Sequence, residues 1–145
     1  MSPKEMNWQA FQKHLRYTDE ELATFKADPK RAAAAQRMFS PAIMDKFLII
    51  EVEESHGCSC GLKPGDRLVF KNLSMLDTTR STANWCAHAM GPVPLIATVA
   101  QDRFSSGLEI NDMVYDHFSC GDVGPMRHGW GQIVMKAFVT DNPDK

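Results

Sequence analysis

The chain of 145 residues is 43% hydrophobic and 9% aromatic, enough apolar surface for one domain with a buried core, which excludes a disordered chain. Eighteen acidic against sixteen basic residues, with no run of lysines or arginines, point away from nucleic acid as a partner. The longest aliphatic run, Phe47 to Ile50, is far too short to cross a bilayer, and the amino terminus has no apolar signal core, so a cytoplasmic chain with no membrane partner is expected.

The first forty residues read as a helical arm, residues 1–40, and the rest as a β-rich core, residues 41–145, within a single compact unit. Trp8, Phe11 and Leu15 recur at helical spacing and predict a short helix that stops near Arg16. Thr18-Asp19-Glu20-Glu21 is a capping box for a second helix, which carries Leu22 and Phe25 inward. Asp28-Pro29 supplies an N-cap and a first-turn proline for a third helix, running to about Met38. Each helix has one narrow apolar stripe, so the arm either caps the core or docks on another protein.

Lys46 to Glu53 is rich in β-formers and predicts a central strand. Leu62-Lys-Pro-Gly-Asp66 is a turn leading into a short strand, Arg67 to Phe70, that ends at Lys71-Asn72. A short helix is expected over Asn84 to Met90, helix over Leu95 to Gln101, a strand over Met113 to Phe118 and a closing strand over Gln132 to Val139. The fold class is therefore α+β, with N-terminal short helices packed on a small, mainly antiparallel sheet.

Chemistry concentrates in the loop His56-Gly-Cys58-Ser-Cys60-Gly61. Four cysteines in a chain with no secretion signal read as thiols or metal ligands, because a reducing cytosol opposes disulfides. Paired thiolates select zinc or an iron centre over magnesium, and flanking glycines let the backbone fold closely round an ion. Cys-Ser-Cys has one intervening residue where zinc knuckles have two, so both sulfurs need not bind one ion. The expected ligand set is His56, Cys58, Cys86 and Cys120, drawn from three segments that border the sheet, with Cys60 and His117 as reserves and zinc as the metal.

Each of these residues also has a structural reading. Cys86, between Trp85 and Ala87, suits a core turn of helix, and His14 and His88, on predicted helices, suit surface or packing positions. Glu53-Glu54 beside His56 fits general acid–base work or, more commonly, solvated charge. The glycine-rich stretch from Gly121 to Gly131 reads as the connection between the last two strands, with Trp130 either an exposed anchor or a lid on the sheet. The chain has no phosphate loop, dinucleotide fingerprint or nucleophile elbow, which disfavours a free-standing nucleotide enzyme.

Phe11 through Arg31, Glu54-Ser-His-Gly-Cys58 and Lys63-Pro-Gly-Asp66 resemble the small γ-type subunits that accompany hydantoinase-type carboxylases of the acetophenone carboxylase kind. The resemblance implies a non-catalytic accessory subunit of a biotin-independent, ATP-dependent ligase complex that carboxylates an aromatic ketone. ATP and bicarbonate would then bind on the larger carboxylase subunits, its partners in a hetero-oligomer. It also favours Cys58, Cys86 and Cys120 over Cys60 as ligands. The competing expectation is an independent metalloenzyme or thiol-redox protein built on Cys58 and Cys60; a small RNA-binding barrel is opposed by the acidic balance.

Overall fold

The computed structural model describes residues 5–82 and 84–145; the first four residues of the expected arm lie outside that range. Three helices open the chain: α1 (Trp8–Leu15), α2 (Asp19–Lys26) and α3 (Pro29–Met38). Their ends are set locally. Arg16 takes a left-handed conformation that closes α1, and Thr18 and Glu21 exchange capping hydrogen bonds of 3.1 and 2.7 Å at the start of α2. The Asp28 carboxylate accepts from the Lys30 amide at 3.0 Å, with Pro29 in the first turn of α3. Phe11 is buried at the centre of an aromatic cluster, its ring centroid 5.2 Å from Phe25 and 5.0 Å from Phe39.

Five strands form one antiparallel sheet in the order β3-β2-β1-β5-β4. They are β1 (Phe47–His56), β2 (Arg67–Lys71), β3 (Met75–Leu76), β4 (His117–Ser119) and β5 (Gln132–Thr140), with α4 (Ala87–Met90) and α5 (Val93–Ser105) between β3 and β4. β1 is central, as its run of β-formers predicts. Leu48, Ile50, Ile133 and Met135 fill one face against Ile96 and Ala100 of α5, each large aliphatic residue adding about 1.5–3 kcal/mol by leaving water. Ile49 and Val69, opposite each other in register, are buried on the second face. The helical arm joins this core through α3, whose Arg37 guanidinium donates to the Ser105 carbonyl at the end of α5 at 2.8 Å.

Two expected elements are shorter than their sequence predicts. The helix expected over Asn84 to Met90 is reduced to α4, because Cys86 is extended (φ −83°, ψ 151°) and only the residues after it turn. The strand expected over Met113 to Phe118 is reduced to β4, and Val114 and Tyr115 are exposed. The reason lies in Asn111. Its side-chain amide donates to the Val139 carbonyl at 2.9 Å and accepts from the Val139 amide at 2.8 Å, occupying the edge of β5 that a longer β4 would pair with. Leu95 to Gln101 is helical, within α5.

Candidate metal centre

Three loops meet at one end of the sheet. The first joins β1 to β2: Gly57 and Gly61 have positive φ (67° and 74°), and the Gly61 amide donates to the Cys58 carbonyl at 3.1 Å, so Cys58 to Gly61 is a tight turn. The second enters α4, where the Cys86 carbonyl accepts from the Ala89 amide at 3.1 Å. The third runs from β4 to β5, as its glycines predict. Its Cys120 amide donates to the Ile133 carbonyl at 3.2 Å, and the Ile133 amide returns to the Cys120 sulfur at 3.5 Å. The Gly121 amide donates to the His88 carbonyl at 3.0 Å, which ties the third loop to the second.

Asp122 organises the third loop. Its carboxylate accepts from the amides of Gly124 at 2.9 Å and Trp130 at 3.0 Å, and these bonds, the Gly124 amide first, hold its pKa below the usual carboxylate value against the opposing effect of burial. Trp130 at the end of this brace is 75% exposed, so it is no lid on the sheet. Gly131 then passes against the backbone of Gly57, where a β-carbon on either residue would collide with the other loop's main chain.

Cys58, Cys86 and Cys120 together line a cavity of about 20 Å³, space for roughly one water-sized particle. His88 and Asp122 border it as well. Cys60 is exposed and is not part of the cavity wall. The neighbouring Cys86 thiol raises the Cys60 pKa, burial and the charges of Cys86 and Cys58 add to it, and Ser59 opposes. A thiol among thiols resists a second negative charge, and a cation between the sulfurs removes that resistance. All four cysteines are free, and among the described residues no group of three or more His, Cys, Asp or Glu side chains is already arranged to hold a metal ion.

The sequence-derived candidates thus fall into two groups. Cys58, Cys86 and Cys120 share the cavity, and Cys60 is exposed outside its wall, two residues from Cys58. His56 is exposed at the end of β1, opposite Gln132 in register, and is not part of the cavity wall. His117 stands on β4 between the carboxylates of Asp116 and Glu53, each 2.8 Å from a ring nitrogen. Glu53 is the residue left over at the β1 bulge between Val52 and Glu54, and the bulge re-aims it across the sheet. His88, read from sequence as a surface or packing residue, borders the cavity; the spacing Cys86-Ala-His88, which parallels Cys58-Ser-Cys60, is the signal that marks it.

Comparison of the chain with family models, with curated proteins and with solved structures finds no match.

Proposed function

We propose that Cys58, Cys60, Cys86 and Cys120 bind a zinc ion that staples the three loops together, and that the chain is an accessory subunit of a larger carboxylase complex. The observation that carries the metal reading is the meeting of Cys58, Cys86 and Cys120, from three separate segments, on one cavity the size of a single small particle. Four thiolates are a closed, structural donor set for zinc, with no open position for a substrate. Cys60, exposed two residues from Cys58 on the same turn, is taken as the fourth donor in place of the expected His56, since a fourth thiolate completes an all-sulfur set; neither residue lines the cavity. Loading the ion draws the thiols inward by side-chain rotation and couples metal affinity to folding.

The subunit role rests on the motifs Glu54-Ser-His-Gly-Cys58 and Lys63-Pro-Gly-Asp66 and their resemblance to the small subunits of acetophenone-type carboxylases. In this reading ATP, bicarbonate and the aromatic ketone bind on partner subunits, and the zinc is structural. The test is elemental analysis of the purified chain, with and without co-expressed large carboxylase subunits. Wild type should carry about one zinc per chain, and Cys58→Ser should lose it together with several kcal/mol of stability. Full metal content in Cys58→Ser and in Cys86→Ser overturns the ligand set. A monodisperse chain that ignores the large subunits overturns the accessory role.

A further inference from the structure

We propose that the cleft bounded by α3, the end of α5 and the end of β5 binds a free α-amino acid with an apolar side chain, its carboxylate on Arg37 and its ammonium group on Glu109. The cleft has a volume of about 740 Å³, within the range of about 300–1,000 Å³ common to small-molecule sites. No cysteine lines it, so the proposal stands apart from the zinc reading.

Three contacts fix its walls. Arg37 joins α3 to α5 through the Ser105 carbonyl, and its guanidinium packs on Gly107, where φ is 74° and a β-carbon would lie 3.0 Å from Nη2. The Asn111 side chain holds the turn after α5 to the Val139 backbone. Lys46, just before β1, reaches Asp141, just after β5, at 3.0 Å. Ile110 and Val139 are buried in the floor, and Leu108 is 53% exposed at the side. The cleft thus has an apolar base with one large apolar side chain open to a ligand.

Its charges are unequally used. Lys46 and Asp141 neutralise each other. Arg37 and Glu109 also line the cleft, and among the described residues neither has a salt-bridge partner. Ser105 takes one guanidinium N–H of Arg37 and leaves a fork of donors for a carboxylate. One Glu109 carboxylate oxygen accepts from the Asn111 amide at 3.2 Å, and the other is left for an ammonium donor. Opposite charges that share a cleft without pairing fit a ligand that carries both. A simple anion would meet Glu109 as well as Arg37, and because the four charged side chains balance, a dianion gains no net field. The apolar side chain of the ligand would cover Leu108 and the floor, leaving water as it does so.

The experiment titrates the full chain with leucine, methionine and phenylalanine by calorimetry, and follows amide shifts of the isotope-labelled chain by NMR. Saturable one-site binding is expected for at least one of the three, with shifts at residues 107–111 and 139–142. For that amino acid, the N-acetyl derivative and the carboxamide, each lacking one charge, should bind about tenfold or more weakly, as should glycine, which lacks the apolar part. Arg37→Gln and Glu109→Gln should each weaken binding by a similar factor. Arg37 also holds α3 to α5, so Glu109→Gln, at an exposed turn, is the decisive variant where Arg37→Gln lowers the melting temperature. No saturable binding of any of the three, shifts confined to other residues, an N-acetyl derivative that binds as tightly as the free amino acid, or full affinity in Glu109→Gln overturns the proposal.

Discussion

Gly131 crosses the backbone of Gly57 so closely that neither position has room for a side chain; a β-carbon on Gly57 would lie 2.8 Å from the Trp130 carbonyl oxygen. This crossing sets the spacing between the turn that carries Cys58 and Cys60 and the loop that begins at Cys120. Gly131→Ala must push the two loops apart, although it touches no proposed ligand. The expected result is a loss of apparent zinc affinity of about tenfold or more, in the range seen when the surroundings of metal ligands are altered, with the circular dichroism of the sheet retained. Competition against a chelator of known affinity measures it. Unchanged affinity would show that the cysteines meet without help from the crossing.

What could be read from sequence follows the range of the interaction that fixes it. The ends of α1, α2 and α3 depend on Arg16, on Thr18 with Glu21 and on Asp28 with Pro29, each acting within one turn, so they are legible. β1 and β5 follow from dense runs of β-formers. The length of β4 does not, because it depends on the Asn111 side chain imitating a strand against Val139, 28 residues away. The same holds at the site. Residue type and glycine spacing mark Cys58 and Cys60 as sulfur donors, but which sulfurs converge is decided by the Gly57–Gly131 crossing and the Gly121–His88 hydrogen bond. Both link segments far apart in sequence, and neither has a local signature.

His117 ties β4 to β1 by standing between Asp116 and Glu53. Its hydrogen bond to Asp116, then that to Glu53, raises its pKa above the ordinary histidine value, and burial opposes. A raised folded pKa means that the contribution to stability is fully present below the unfolded value of about 6.5 and is lost as pH rises through the folded value. Thermal melts from pH 6 upward should therefore show a downward step in wild type that His117→Gln lacks. The same step in both proteins would assign it to other groups.

Asp77 is a buried carboxylate between β3 and the segment that follows, 2% exposed, bonded to the Thr79 hydroxyl at 2.7 Å and to the Arg80 guanidinium at 2.8 Å. These partners, Thr79 first and then Arg80, hold its pKa well below the usual carboxylate range, against the opposing effect of burial. A depressed pKa stabilises above the unfolded value of about 3.9 and ceases to do so as pH falls through the folded value. Asp77→Asn should be less stable than wild type at neutral pH, with the gap narrowing as pH drops below about 4. Urea unfolding at a series of pH values checks the sign, and a gap that widens in acid would contradict it.

The remaining question is whether the helical arm belongs to the cooperative core. Phe11 is 3% exposed, and its neighbours Trp8, Tyr17, Phe25 and Phe39 all belong to the arm or its end, whereas α3 reaches α5 through Arg37. Removing so large a buried ring costs about 3–5 kcal/mol, more than two helices of eight residues each can absorb from their own propensity. Phe11→Ala should therefore unfold α1 and α2 while leaving the sheet in place, the behaviour of a separate low-stability unit. Hydrogen exchange followed by mass spectrometry should show lost protection over residues 8–26 and unchanged protection in β1 and β5. Equal loss in β1 and β5 would mean that arm and sheet unfold together, and that the arm completes the core instead of standing free to dock.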